Sequence, residues 1–347
     1  MNGGHEATGE RRCQRFQIAP RRAAHFPQAL RDGARARLEV RREAVLVFST
    51  SAYEVLGSRV RAEGRFPAGE VERKQFPDGE VYQRVVSQVA GEDVAIVGGT
   101  PSDPTVTELY DLASGLVECG ARSLTMVIPY FGYSTMERAV RPGEVVTAKT
   151  RARLLSSVPS PPMGSRVALL DLHSEGIPYY FEGRVRPVHL SGRAVILRAI
   201  QDLAHGDFVL ACTDAGRAKW VQNLANEAGV TASFVFKRRG AGGAPMVTAV
   251  SAQVQGQHVI IYDDMIRSGS SLLNAAEAYR KSGAQKISVV ITHGVFPDDA
   301  LTRLQSSGLL STVLCTDSHP RALELEGDFL RVRSVAPVLA EFLAAPP

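Results

Sequence analysis

No stretch of this 347-residue chain approaches the ~18 consecutive apolar residues of a membrane-spanning helix, which argues against a protein built on such spans. Cysteine is scarce. Cys13, Cys119, Cys212 and Cys315 lie far apart, with none of the close pairs of a zinc site or a secreted disulfide framework, so a reducing cytoplasm is the expected setting. The basic residues lack an interleaved aromatic platform, and nucleic-acid binding is not expected.

A strong overall charge is also missing. The formal net charge of +4 is unevenly distributed: residues 1–42 hold ten arginines against Glu6, Glu10, Asp32 and Glu39, a balance of +6, which leaves the rest of the chain at −2. The basic character thus belongs to an N-terminal extension, 1–43. It reads as a disordered tail or as a targeting segment, with its four acidic residues speaking against the latter.

What is present is ordinary globular composition, 44% hydrophobic and 22% charged, over enough chain for two α/β domains. From Glu43 onward short apolar runs alternate with amphipathic helical stretches, the mark of βαβ units. Strands are predicted at 44–48, 94–97, 124–128, 167–170, 208–211, 259–262, 287–291 and 312–315. Helices are predicted at 51–63, 104–119, 145–156, 192–204, 215–228 and 270–282. The periodicity breaks at Pro187–Gly192, dividing the chain into residues 44–188 and 189–347, two doubly wound parallel-sheet domains. Segments 159–164 and 238–245 read as loops, the second glycine-rich enough to be a mobile flap.

In such sheets ligands collect outside the carboxyl ends of the strands. Those ends repeatedly carry polar residues: Asp171-Leu-His173, Thr213-Asp214, Asp263-Asp264, Thr292-His293 and Thr316-Asp317-Ser318. The most informative is the run from Val259 to Ser271, in which an apolar strand ends in two carboxylates and a small-residue turn opens a helix. Free N–H groups at that helix start favour a phosphate; Ser268, Ser270 and Ser271 add hydroxyl donors, and Gly269 lets the backbone come close. Asp263 and Asp264 can accept hydrogen bonds from two vicinal sugar hydroxyls, or hold a cation that does. A phosphate together with a diol describes a ribose 5-phosphate. Strand, Asp, turn and Ser is also how many α/β loops cap a helix, so the segment alone does not decide.

This segment resembles the loop that binds phosphoribosyl diphosphate (PRPP) in phosphoribosyltransferases and PRPP synthetases. Taken in order, Phe76-Pro-Asp-Gly-Glu80, Pro129-Tyr-Phe-Gly-Tyr133, Asp171-Leu-His173, Thr213-Asp-Ala-Gly216, Lys237-Arg-Arg239, the Asp263-Asp264 loop and Thr292-His-Gly-Val-Phe296 resemble the motif series of PRPP synthetases, or ribose-phosphate diphosphokinases. The resemblance covers about residues 44–340. Through Glu137-Arg138 and Thr292–Pro297 it is most similar to the plant-type, class II branch.

The resemblance implies two phosphoribosyltransferase-like domains and transfer of a diphosphoryl group from magnesium-bound ATP to ribose 5-phosphate, giving PRPP and AMP. It implies that Lys237 and Arg239 close over the transferring phosphates, that Phe76, Asp78, Glu80 and Arg138 meet the nucleotide, and that His173 and Asp214 line a Mg2+ site. Asp263, Asp264, Ser268, Gly269, Ser270 and Ser271 would hold ribose 5-phosphate. In similar enzymes the Phe76 segment reaches a neighbouring subunit, so a homo-oligomer with its nucleotide site at a subunit interface is expected.

Two departures stand out. Thr135 and Met136 occupy places where the widespread branch has an arginine and a glutamine, which bears on adenine selectivity. Arg267 occupies the place of a third acidic residue; it could pair with Asp263 and Asp264, pair with the phosphate, or displace a cation and leave the protein inactive. A non-catalytic regulatory subunit is therefore a second reading. A phosphoribosyltransferase is a third, although it has no need of a second domain carrying Phe76–Glu80 and Asp171-Leu-His173.

Overall fold

The computed structural model describes residues 45–204, 206–213, 215–239 and 245–345, without the side chains of 215, 236–239 and 245–249. The extension 1–43 lies outside the described residues. The remainder forms one unit built on two parallel sheets.

The first half carries β1 (Leu46–Ser49), β2 (Val71–Gln75), β3 (Val81–Val85), β4 (Asp93–Val97), β5 (Ser123–Ile128), β6 (Ser165–Leu170) and β7 (Val185–Leu190). Its sheet has the order β1-β4-β5-β6-β7, every pair parallel. Strands covered on both faces are predominantly apolar, which is why 94–97 reads as an unbroken run and 124–128 as a run interrupted only by the buried Thr125. Helices α1 (Glu54–Gly64), α2 (Asp103–Glu118) and α3 (Thr147–Ser156) follow in sequence. Leu109, Leu112 and Leu116 of α2 pack with Met126 and Ile128 on one face. On the other, Leu56 and Val60 of α1 meet Val47 and Val97 together with Leu339 and Leu343 of the last helix, Ala336–Ala344. The end of the chain thus returns to the sheet where it began.

The second half carries β8 (Phe208–Cys212), β9 (Thr231–Ser233), β10 (Val235–Arg239), β11 (Pro245–Val250), β12 (His258–Ile266), β13 (Lys286–Gly294), β14 (Thr312–Thr316) and β15 (Leu330–Arg333). Its sheet has the order β15-β14-β13-β12-β8-β9, again all parallel. Helices α4 (Arg193–Leu203) and α5 (Ala218–Ala228) cover one face, with Ile196, Ile200, Val221 and Leu224 on Leu210 and Ile260. Helices α6 (Ser270–Lys281) and α7 (Ala300–Ser306) cover the other through Leu272, Tyr279 and Leu304. The chain runs outward from β8 to β9, then crosses back to place β12 on the opposite side of β8. That reversal opens a crevice at the carboxyl ends of β8 and β12.

The predicted strands and helices are present, and both sheets have helices on both faces. The stretch read as a break at 187–192 instead contributes β7, and the division at 188/189 falls inside that strand. Proline is tolerated there because β7 is an edge strand, bonded only to β6. The glycine-rich loop is flanked by an antiparallel hairpin, β10 with β11, pairing Val235 with Val250 and Arg239 with Pro245; residues 240–244 are outside the description. A second hairpin, β2 with β3, forms its own two-stranded sheet and is mostly exposed, with Val71 and Val85 half-buried against the core of the first sheet. Among the described residues no helix is long and apolar enough to cross a membrane.

Candidate active site

Strand β12 outruns its neighbour. Its last pairing with β8 is Tyr262 to Cys212, whereas its pairing with β13 continues to Ile266 and Gly294. Asp263 and Asp264 therefore remain held in a strand while the side toward β8 has fallen away. The turn that follows ends at Gly269, whose φ of 76° is left-handed; a Cβ there would sit 2.9 Å from Leu304 Cδ2, so glycine answers both the backbone and the space. Helix α6 starts at Ser270 and points its free N–H groups back over the turn. The Ser268 and Ser270 hydroxyls lie 3.3 Å apart, and Arg303 ties the Ser268 carbonyl at 3.1 Å.

The two carboxylates differ in state. Asp264 is buried, which works against its charge, yet it is held well below the usual carboxylate range by His173, whose Nδ1 lies 2.7 Å from Oδ2, and by Arg217, at 2.6 Å from the same oxygen. Burial and the neighbouring Asp264 charge push Asp263 up to about 7, against the pull of the Thr213 hydroxyl donating to its Oδ2 at 2.7 Å. The Asp264 N–H also donates to Asp263 Oδ1, at 2.9 Å. His173 is raised by its hydrogen bond to Asp264. Arg217 reaches the His173 carbonyl at 3.1 Å as well, so one guanidinium joins the two halves at the carboxylate.

A cavity of about 580 Å³ lies over this group, lined by His173, Thr213, Arg217, Asp263, Asp264 and the turn through Leu272. It brings together His173, Asp263, Asp264, Ser268, Gly269, Ser270 and Ser271. Thr135 and Arg267 stand at its wall, linked by a hydrogen bond of 3.3 Å from Arg267 Nη1 to the Thr135 hydroxyl.

Four of the other expected residues, Phe76, Asp78, Glu80 and Arg138, are not part of the cavity wall. Phe76, Asp78 and Glu80 form the tip of the β2–β3 hairpin, where Asp78 Oδ1 accepts the Glu80 N–H at 3.1 Å and Lys74 lies 5.1 Å from the Phe76 ring centroid. Arg138 is 79% exposed, 3.5 Å from Glu137. Lys237 and Arg239 lie on β10, with their side chains outside the description, and Asp214 lies outside the described residues.

Among the described residues no cluster of three or more His, Cys, Asp and Glu side chains is arranged to hold a metal. His173 nonetheless suits a ligand role: with Nδ1 committed to Asp264, the ring is oriented and Nε2 is the nitrogen left for a cation. A magnesium ion held by few protein groups keeps waters and substrate phosphates as its other ligands, and so requires no protein cage.

Arg217 was not anticipated from the sequence. It follows Thr213-Asp-Ala-Gly216 directly, but its partners lie 44 and 47 residues away, and only the fold brings them together. Nor was the network around Asp171 foreseen. Asp171 Oδ1 accepts the Gly192 N–H at 2.9 Å, Oδ2 accepts the Thr292 hydroxyl at 3.1 Å, and the Asp171 carbonyl accepts from His293 Nε2 at 3.1 Å. These contacts hold Asp171 at a φ of 39°, two residues before His173.

Residues 45–158 match the N-terminal domain of ribose phosphate pyrophosphokinase, and residues 213–343 match the phosphoribosyl synthetase-associated domain. The chain is 32% identical to a ribose-phosphate pyrophosphokinase of Gloeobacter violaceus over 329 residues, covering 93% of this chain and 94% of that protein. A ribose-phosphate pyrophosphokinase of Brucella melitensis is 30% identical over 301 residues, 86% of this chain and 95% of its own. The crystal structure of phosphoribosylpyrophosphate synthetase from Mycobacterium smegmatis superposes with a TM-score of 0.76 at 26% identity, over 86% of this chain and 97% of that one. On these matches, over nearly the whole of the described chain, the chain belongs to the ribose-phosphate pyrophosphokinase (PRPP synthetase) family.

Proposed function

We propose that the chain transfers the β,γ-diphosphoryl group of a nucleoside triphosphate, ATP first among donors, to the anomeric hydroxyl of ribose 5-phosphate, giving PRPP and AMP. The observation that carries this reading is a cavity in which a helix N-terminus suited to a phosphate faces two carboxylates suited to a diol. The anomeric oxygen bonds to the β-phosphorus, the bond from that phosphorus to the α,β-bridging oxygen breaks, AMP leaves with that oxygen, and the hydroxyl proton is released. Such chemistry depends on positioning and charge neutralisation more than on covalent catalysis.

In this assignment Ser268, Gly269, Ser270 and Ser271 hold the 5-phosphate, and Asp263 and Asp264 accept the ribose hydroxyls. Arg217 and His173 keep Asp264 ionised and therefore an acceptor. Lys237 and Arg239, at the β10–β11 hairpin, neutralise the transferring phosphates and help exclude water when the hairpin closes. His173 and Asp214 hold a Mg2+ ion, which supplies further neutralisation of phosphate charge. Phe76, Asp78 and Glu80 stand on an exposed hairpin away from the cavity wall, which supports their delivery to a neighbouring subunit's nucleotide, beside Arg138, in a homo-oligomer. Glu137-Arg138 and Thr292–Pro297 support the plant-type branch, and Thr135 and Met136 support a relaxed choice of donor.

Phosphorus NMR of the purified protein with Mg2+, ribose 5-phosphate and, separately, ATP, GTP and CTP tests this. PRPP diphosphate signals from ATP alone give an adenine-selective enzyme; signals from several donors give the relaxed one. A folded protein that yields none from any donor rules out the enzyme and leaves the regulatory-subunit reading, which Arg267 in place of an acid favours.

A further inference from the structure

The cations around the cavity are not equivalent. Arg217 and the His173 ring are both committed to Asp264, at 2.6 and 2.7 Å. Arg267 makes no ion pair among the described residues; its guanidinium donates only to the neutral Thr135 hydroxyl, at 3.3 Å, across the junction of the two halves. It is exposed, and it borders the cavity immediately before the turn that reads as the 5-phosphate cradle. Its charge is nonetheless felt inside the junction: burial pushes the Tyr130 hydroxyl up, and Arg267 opposes that rise.

The geometry has a chemical consequence. The 5-phosphate is provided for by the free N–H groups of α6 and the hydroxyls at 268–271. Arg267 leaves that turn and extends to Thr135, on the segment Ser134–Met136 that leads to Glu137 and Arg138. A forked cation placed between the ribose-phosphate turn and that segment, with no carboxylate among the described residues holding it, suits two oxygens of a bridging diphosphate. We infer that Arg267 is a catalytic residue that grips the diphosphate as it passes from nucleotide to sugar, supplying as a fixed guanidinium part of the neutralisation that a cation held by an acid at this position would give. This rests on the proposed function and assigns a residue to the transferred group itself.

PRPP carries the diphosphate and ribose 5-phosphate does not, so their binding separates the roles. Isothermal titration of the full-length protein with each ligand, in EDTA and again with Mg2+, is compared for wild type, Arg267→Gln and Arg267→Lys, with thermal melts confirming that the exposed substitutions leave the fold intact. Arg267→Gln is expected to weaken PRPP about ten- to a hundredfold, most in EDTA, and ribose 5-phosphate less than about threefold. Arg267→Lys is expected to fall between, keeping the charge but not the fork. Equal weakening of both ligands, or no change in either, overturns the inference while the wild type still binds both and the site reading stands. A wild type that binds neither ligand overturns both.

Discussion

At the carboxyl end of the first sheet, Asp171 is fully engaged by the protein itself: Gly192, Thr292 and His293 take up its polar atoms and weld the two halves together. At the carboxyl end of the second sheet, Asp263 and Asp264 are steadied by Thr213, His173 and Arg217 yet still face a cavity. Strand order accounts for the difference. The first sheet is laid down in one direction, β1 to β7, whereas the second reverses between β8 and β12 and leaves a gap no neighbour fills. A strand-end carboxylate becomes a fastening in one setting and a binding group in the other.

If that division holds, substitutions in the second sheet should cost function and those in the first should cost stability. The largest effect is expected for Asp264→Asn, with kcat/KM falling about a thousandfold. The His173 imidazole, freed from its ionised partner, should titrate lower in NMR. A His173 titration identical to wild type would show that Asp264 does not set the ring's state.

Asp171→Ala removes the acceptor of two buried donors and should cost about 2–4 kcal/mol in urea unfolding, while Asp171→Asn, which keeps one carbonyl acceptor, should cost under about 1 kcal/mol. Equal losses would mean that charge at Asp171, and not its hydrogen bonds, holds the junction.

How much of this was readable in advance depends on where the information lies in the chain. The cradle from Asp263 to Ser271 is contiguous, so residue chemistry and order announce it. The buried strands were legible because both faces are covered and nearly every residue is apolar, Thr125 and Ser288 being buried exceptions. Strand β7 was not, since an edge position tolerates Pro187 and exposed Arg186 and His189; nor was the β2–β3 hairpin, whose inward face is only half-buried, through Val71 and Val85, and otherwise carries Arg73 and Gln83. Arg217 was invisible for a different reason: its role is a contact across two halves, and no local spacing encodes that.

Thr213→Val is a smaller perturbation. Without its hydroxyl Asp263 should titrate still higher, and KM for ribose 5-phosphate should rise about tenfold. An unchanged KM would take Asp263 out of the sugar site.

The smallest effect concerns His319, which packs edge-on against Tyr130 at 4.9 Å on the welded side. Burial, with His293 and Arg321 nearby, pushes its imidazole down to about 4. The unfolded chain therefore binds the proton first: the stabilisation is complete above about pH 6.5 and is lost as the pH falls toward 4. Melting temperature should drop over that window, and His319→Gln should flatten the drop by a few degrees, roughly. A variant profile parallel to wild type would place the acid sensitivity elsewhere.

The helix Ala336–Ala344, packed against α1 on the first sheet, bears on how the protein is made. Domains are often completed in order as they leave the ribosome, the N-terminal one first. Here Val47, Ala95 and Val127 await cover from a segment synthesised after the whole second sheet, so the nascent first half has an unsealed apolar face throughout translation of the rest. Chaperone dependence during synthesis should therefore track the interval before that last helix emerges, and a chain halted before residue 336 should be a far better chaperone client than its length alone suggests.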